Sequence, residues 1–463
     1  MPPPRSLTDC SLALHTDEYA LTMAQSFLHH GQTGAVSFEM TVRTLPPVRG
    51  YLVAAGLEQV LAYLRSLRYS AAQLEFLSGQ GIYSGEFLDH LAGLRFSGDV
   101  DAMAEGTPFG AGEPLLRITA PRIEATLVES TLLALVNHQS TIASKASRIV
   151  TAARGRLVWD FSLRRLHGPE AGVGVARAAY LAGCAGTATV AAGERFGIPT
   201  TGTMAHHFVL AFGEDGEQAA FEQFLRDYPG RAVLLVDTYD TVRGVRRAIA
   251  AARATGVPLA GVRLDSGDIA ELARQARVLL DEAGMCGALI IASGDLDEYR
   301  IDALLSGDDP APLDAFGVGT MLGTSPDAPS IGGIYKLVEQ SLGGEMTPTM
   351  KLSAAKQTDP GAHQVFRFAD RDVVALRDEQ LDGEPLLGQA MRGGEVVAEL
   401  PSLQEIRLRC QALVAALPDD VRRIAEPRHW TVERSPQLLA LRERMGQVAG
   451  GAGGTRGLRR GGG

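Results

Sequence analysis

The run Ile198-Pro199-Thr200-Thr201-Gly202-Thr203-Met204-Ala205-His206-His207-Phe208-Val209-Leu210 sets two histidines between a Pro-led entry and an apolar exit. Small and polar residues before an imidazole suit a strand end or turn holding the ring toward a cavity, where it can act as base, ligand or nucleophile. A lone histidine there can equally be a packed residue bonded to backbone, so other stretches must decide. Val262-Arg263-Leu264-Asp265-Ser266-Gly267-Asp268 adds a cation and two carboxylates. Arg263 and Asp265 are two residues apart, so on a strand they share a face. Inward charges must be paired or liganded, because burying either alone is costly. They form either a structural ion pair or a site in which Arg263 takes a phosphate or anionic ring and Asp265 a sugar hydroxyl or Mg²⁺-bound diphosphate. Asp160-Phe161-Ser162-Leu163-Arg164-Arg165 supplies further guanidinium.

Two more stretches are built for backbone contact. Ser293-Gly294-Asp295-Leu296-Asp297 and Gly317-Val318-Gly319-Thr320, the latter followed by Gly323-Thr324-Ser325, are loops whose small residues let amides approach a ligand. Such amides hold phosphate well, and barrel phosphate sites sit in late βα loops. Either loop alone is also what an ordinary tight turn requires. Together with the arginines, carboxylates and histidine, they suit a phosphorylated sugar substrate with a metal.

The elements that must position these residues repeat. From Arg156 onward, short apolar runs ending in polar or small residues alternate with helical stretches such as 242–254 and 269–283: 157–161, 197–209, 232–238, 259–268, 288–295 and 315–320. Six such runs imply buried parallel strands in a βα repeat, with the chemistry at their C-terminal ends. Before Arg156 the chain predicts a helix over 17–30, a strand over 35–43, a helix near 51–67 and a long helix over 122–153. After Gly332-Gly333 the pattern is mixed, with strands near 334–339 and 364–368 and a helix over 401–416. The Gly-rich stretch 446–463 has too little to bury and reads as a disordered tail.

Composition removes several classes. Lys plus Arg number 44 against 54 Asp plus Glu, a net charge of -10, which argues against a nucleic-acid binder. No stretch has the 18 or more apolar residues of a membrane span, and the N-terminus lacks a signal-peptide run, so cytoplasm is the expected location. Cys10, Cys184, Cys286 and Cys410 are far apart, which predicts buried thiols rather than a zinc site or disulfides.

Taken in order, Asp17-Glu18-Tyr19 with Met23 and Gln25, Asp160-Phe161 with Arg164-Arg165, Gly202 to His206, Val236-Asp237-Thr238-Tyr239-Asp240-Thr241, Val262 to Asp268, Gly317 to Thr320 and Tyr335-Lys336-Leu337-Val338 resemble the nicotinate phosphoribosyltransferase family. The resemblance runs from about residue 15 to 440. It implies joining nicotinate to 5-phosphoribosyl 1-diphosphate, with ATP hydrolysis coupled through a phosphohistidine, and with Mg²⁺. It makes His206 the modified histidine. Thr203, Tyr19, Arg164 and Arg263 would meet nicotinate, with Arg263 near its carboxylate or the ribosyl phosphate. Ser293, Gly294, Asp295, Gly319 and Thr320 would hold the 5-phosphate, and Asp265 the ribose or the diphosphate-bound Mg²⁺. The family has Ser after the motif histidine where this chain has His207; strand neighbours face opposite ways, and the motif match turns His206 inward. The implied architecture is an irregular, open α/β barrel over 136–334, a smaller α/β domain from 1–135 packed with the 335–445 segment, and a homodimer with sites near its interface. A transferase for nicotinamide or quinolinate, or a non-catalytic nucleotide-binding relative, would share much of this inventory.

Overall fold

The computed structural model describes residues 12–351 and 358–452. The chain divides into two units: Met1–Ser140 with Ser330–Pro401 and Arg428–Gly463, and Thr141–Pro329 with Ser402–Pro427. In the second unit six strands, β1 (Leu157–Asp160), β2 (Gly186–Thr187), β3 (Val233–Leu235), β4 (Gly261–Leu264), β5 (Leu289–Ala292) and β6 (Ala315–Val318), form one sheet in the order β2-β1-β6-β5-β4-β3. Every pairing is parallel. The apolar runs are continuous rather than alternating because helices cover a parallel sheet; all of β6 is buried. Among the described residues the edge strands β2 and β3 do not pair with each other, so the barrel sheet is open.

Five of the six runs named from the sequence become these strands. The exception is 197–209: it contributes a single bridge, Thr200 to Thr187, and His206 opens a short helix, His206–Leu210. The sixth strand is instead the two-residue β2, too short to leave an apolar run. Asp240, Asp268 and Asp297 each accept a backbone N–H at the start of the helix that follows β3, β4 and β5. These caps hold the βα loops at fixed exit angles. Asp268, read as one of two chemical carboxylates, therefore serves the helix Ile269–Glu282.

The first unit is built on an antiparallel seven-stranded sheet in which Ala35–Val42 lies between Gly333–Leu342 and Pro114–Pro121. A four-stranded sheet includes His363–Arg367 and Asp372–Leu376. Phe38 stacks on Tyr335 with ring centroids 4.6 Å apart. Buried among these strands, Glu39 takes the His363 ring at 2.6 Å, and Arg117 donates to the His363 carbonyl at 2.6 Å. The expected helix over 122–153 is two helices, Arg122–Leu127 and Glu129–Ala152. The helix Leu403–Ala416 groups with the second unit, although the sequence reading put all of 335–445 with the N-terminal part. Tyr180 donates to Gln404 at 2.5 Å, and Arg407 donates to the carbonyls of Gly183 and Cys184.

The helix Pro436–Ala452 extends into the stretch read as a disordered tail; the tail from 453 lies outside the described residues. Cys184 and Cys410 are buried as expected, but Cys286 is exposed in the turn before β5, and Cys10 lies outside the described residues. Among the described residues no helix is long and apolar enough to cross a membrane.

Candidate active site

The C-terminal ends of β1, β4, β5 and β6 open into a cavity of about 430 Å³, lined by Phe161, Arg164, Thr203, Arg263, Asp265, Ser293, Gly294, Asp295, Gly319 and Thr320, among others. Nine of the eleven residues singled out from the sequence are in this wall. His206 is held beside it, and Tyr19 is not in it.

Arg263, on β4, is largely buried and donates to the Thr203 hydroxyl at 2.5 Å, with Asp265 3.9 Å away. Among the described residues its Nε has no acceptor. Burial pulls its pKa below the ordinary guanidinium value; Asp265 and Asp237 oppose that shift and Arg164 adds to it. A buried guanidinium with an unused N–H and a second arginine nearby makes a seat for an anion.

Asp265 is held from two sides. Its backbone N–H donates to Asp237 at 3.0 Å, and its carboxylate accepts the Ser293 hydroxyl at 2.5 Å. That hydroxyl ties the end of β4 to the loop after β5. The loop can approach so closely because Gly294 has φ +90°, and a Cβ there would stand 2.1 Å from the Asp265 carbonyl oxygen. Asp295 follows with φ 48°, a left-handed conformation that costs a non-Gly residue of order 1 kcal/mol or more. After β6, Gly319 precedes the short turn of helix Thr320–Gly323.

The His206 ring bonds the Thr238 hydroxyl through Nδ1 at 3.1 Å, leaving Nε2 3.9 Å from the Asp265 carboxylate. His207 is exposed. The inward and outward roles follow from the first turn of a helix, not from strand alternation. Phe208 of this helix packs its ring against those of Phe212, tilted, and Phe224, edge to face.

Residues that carried no role in the sequence reading complete the site. Phe161 lies against β6, where a Cβ on Gly317 would meet its ring at 2.4 Å, so the first glycine of Gly317-Val318-Gly319 makes room for an aromatic wall. Asp160 is buried, accepts from the Ser162 N–H at 2.9 Å, the Ser162 hydroxyl, and the Thr187 hydroxyl at 2.7 Å, and locks the ends of β1 and β2. Burial raises its pKa, with these donors opposing the rise. Tyr19 belongs to the first unit; it is half exposed, and its hydroxyl donates to Glu129 at 3.2 Å. Its pKa is pushed up to about 12, by burial first and then by the Glu129 charge.

A parallel barrel sheet with Gly-rich late loops, carboxylates at the neighbouring strand end and two arginines in the same cavity has the inventory of a phosphoribosyltransferase site. The Nicotinate phosphoribosyltransferase (NAPRTase) family model matches residues 157–383, the N-terminal domain model of the same enzymes matches 14–137, and the C-terminal domain model matches 355–442. A nicotinate phosphoribosyltransferase of Mycobacterium tuberculosis is 45% identical over 422 residues, covering 89% of each chain. The Bacillus subtilis enzyme of that name is 36% identical, over 92% of this chain and 94% of its own. The crystal structure of human nicotinic acid phosphoribosyltransferase superposes with a TM-score of 0.81 at 27% identity, covering 93% of this chain and 99% of the human one. The chain belongs to the nicotinate phosphoribosyltransferase family and is an enzyme of that kind.

Proposed function

We propose that this cavity joins nicotinate to 5-phosphoribosyl 1-diphosphate in NAD salvage, with ATP hydrolysis coupled through phosphorylation of His206. The pyridine nitrogen forms a bond to the ribose C1 as the C1–O bond to diphosphate breaks, so oxocarbenium character builds on the sugar and negative charge on the leaving group. Such a step needs charge placement more than a strong base. The observation that carries the reading is Arg263: a buried guanidinium, oriented by Thr203 and supported by Arg164, suits the nicotinate carboxylate. Nicotinamide offers that group no charge. Phe161 supplies a flat wall for the ring, and the amides around Ser293 to Asp295 and Gly319 to Thr320 suit the 5-phosphate.

Among the described residues no three His, Cys, Asp or Glu side chains converge as a metal cage. Asp265 and Asp237 nevertheless fit a cation brought by the diphosphate, because Asp237 keeps one buried carboxylate oxygen with no donor among the described residues. Mg²⁺ held there would neutralise charge on the leaving group. A phosphoryl group on His206 would lie near that same leaving-group region and order the surrounding loops. A homodimer with sites near its interface would give Tyr19 a route to the ring, and the free thiols suit the cytoplasm.

The test is product formation from nicotinate, nicotinamide or quinolinate with phosphoribosyl diphosphate and Mg²⁺, with and without ATP, for wild type, His206→Ala and His207→Ala. The expected result is turnover of nicotinate alone, accelerated by ATP, with only His206→Ala abolishing the acceleration. Ligand binding without turnover of any ring would refute the catalytic reading; loss of the acceleration in His207→Ala alone would move the phosphoryl group to that residue.

A further inference from the structure

The two loops assigned to the 5-phosphate present backbone, not a side-chain cation, so their spacing sets how well they hold a ligand. Each carries a non-Gly residue in the left-handed region close behind it, Asp295 at φ 48° and Ser325 at φ 42°. Such conformations persist only where the surroundings over-determine them. The segments beyond both loops converge on one ammonium. The helix after the first loop begins with Glu298, whose carboxylate is 2.5 Å from Lys145 Nζ. Past the second loop, Asp327 accepts from the same Nζ at 2.9 Å. The side chains of Lys145 and Glu298 are fully buried, and Asp327 is 19% exposed. Arg148, one turn along the helix Glu129–Ala152, braces the other oxygen of Glu298 at 3.1 Å.

A buried ion pair is a poor source of net stability, because desolvation offsets most of its attraction. What an ammonium does well is receive two carboxylates from different directions at once, since it is a compact charge with three donors. We propose that Lys145 is a positioning residue that fixes the distance between the two phosphate loops from behind, and so sets affinity for the phosphoribosyl substrate without touching it. This rests on the assignment of those loops to the 5-phosphate.

Steady-state kinetics on the full chain would compare wild type, Lys145→Met, Asp327→Asn and, as a direct probe of the first loop, Gly294→Ala. The expected result is a rise of about tenfold in KM for phosphoribosyl diphosphate in Lys145→Met and a smaller rise in Asp327→Asn, since small misplacements weaken an oriented site steeply. KM for nicotinate should stay within about twofold and kcat within about threefold in both, the signature of a lost phosphate fit. If Gly294→Ala raises KM for phosphoribosyl diphosphate while Lys145→Met and Asp327→Asn lose only thermal stability, or raise both KM values alike, the inference is wrong and the loop assignment stands. If Gly294→Ala leaves that KM unchanged, the loop assignment fails and the inference falls with it. Should Lys145→Met not fold, Asp327→Asn decides alone, because it unties one loop and leaves the Lys145–Glu298 pair in place.

Discussion

Arg263 shows what a single side chain must do here. Its planar fork donates to Thr203 while aiming further N–H groups at a ligand in one fixed plane, a geometry that the rotating donors of an ammonium do not impose. Arg263→Lys keeps the charge and loses the fork, so KM for nicotinate should rise by about tenfold or more, with a smaller change in KM for phosphoribosyl diphosphate. Equal rises in both would assign Arg263 to the ribosyl phosphate instead. His363 makes a different kind of prediction. Burial alone would lower its pKa, but the charge of Glu39 and the 2.6 Å bond to it prevail, and the net shift is upward. A raised folded-state pKa means stabilisation present in full below the unfolded value of about 6.5 and lost as pH climbs through the folded value. The difference in thermal midpoint between wild type and His363→Gln should therefore be largest in mild acid and shrink toward alkaline pH; a difference that grows with pH would contradict a charged pair. At this scale the sequence was informative where spacing implies a shared face, as for Arg263 and Asp265. It placed Thr238 and Phe161 in motifs without giving either a role, because those roles come from neighbours that only folding brings beside them.

The elements follow their local sequence closely, and their departures have physical causes. Parallel strands were legible because burial on both faces turns them into unbroken apolar runs, and the polar residues at their ends stood out for the same reason. Two-residue β2 has no such run. The 197–209 stretch is broken by polar residues as well as by Pro199 and Gly202, so its ladder stops after a single bridge and the chain turns into a helix at His206. Helix and strand also meet at closer range than propensity alone would suggest. Gly244 sits in the first turns of the helix Thr241–Thr255, where a Cβ would come within 1.9 Å of the Val236 carbonyl oxygen just past β3. Replacing a helical glycine by alanine ordinarily gains about 1 kcal/mol. Gly244→Ala should reverse that sign and cost about 1–3 kcal/mol, because the helix must lift from the strand end that carries Asp237 and Thr238. Denaturant unfolding measures it directly, and a midpoint at or above wild type would show that the helix can yield.

At the scale of the whole molecule, the residues that resemble the nicotinate site are divided. Arg164, Thr203 and Arg263 share one cavity in the second unit, whereas Tyr19 stands on the helix Glu18–His29 of the first unit, half exposed and near the likewise exposed Met23. Two-fold dimers are the commonest oligomers, and in one each chain gives what it receives. If Tyr19 serves the cavity of a second copy, Tyr19→Ala and Arg263→Ala chains, each inactive as pure dimers, should complement when co-expressed with different tags. The mixed dimer then has one site with both defects and one with neither. Random pairing makes about half of the dimers mixed, so activity should return to about a quarter of wild type. A Tyr19 that serves its own chain puts one defect in every site, and no activity would return. Sedimentation at twice the chain mass is the companion requirement, since complementation needs a dimer in which to occur.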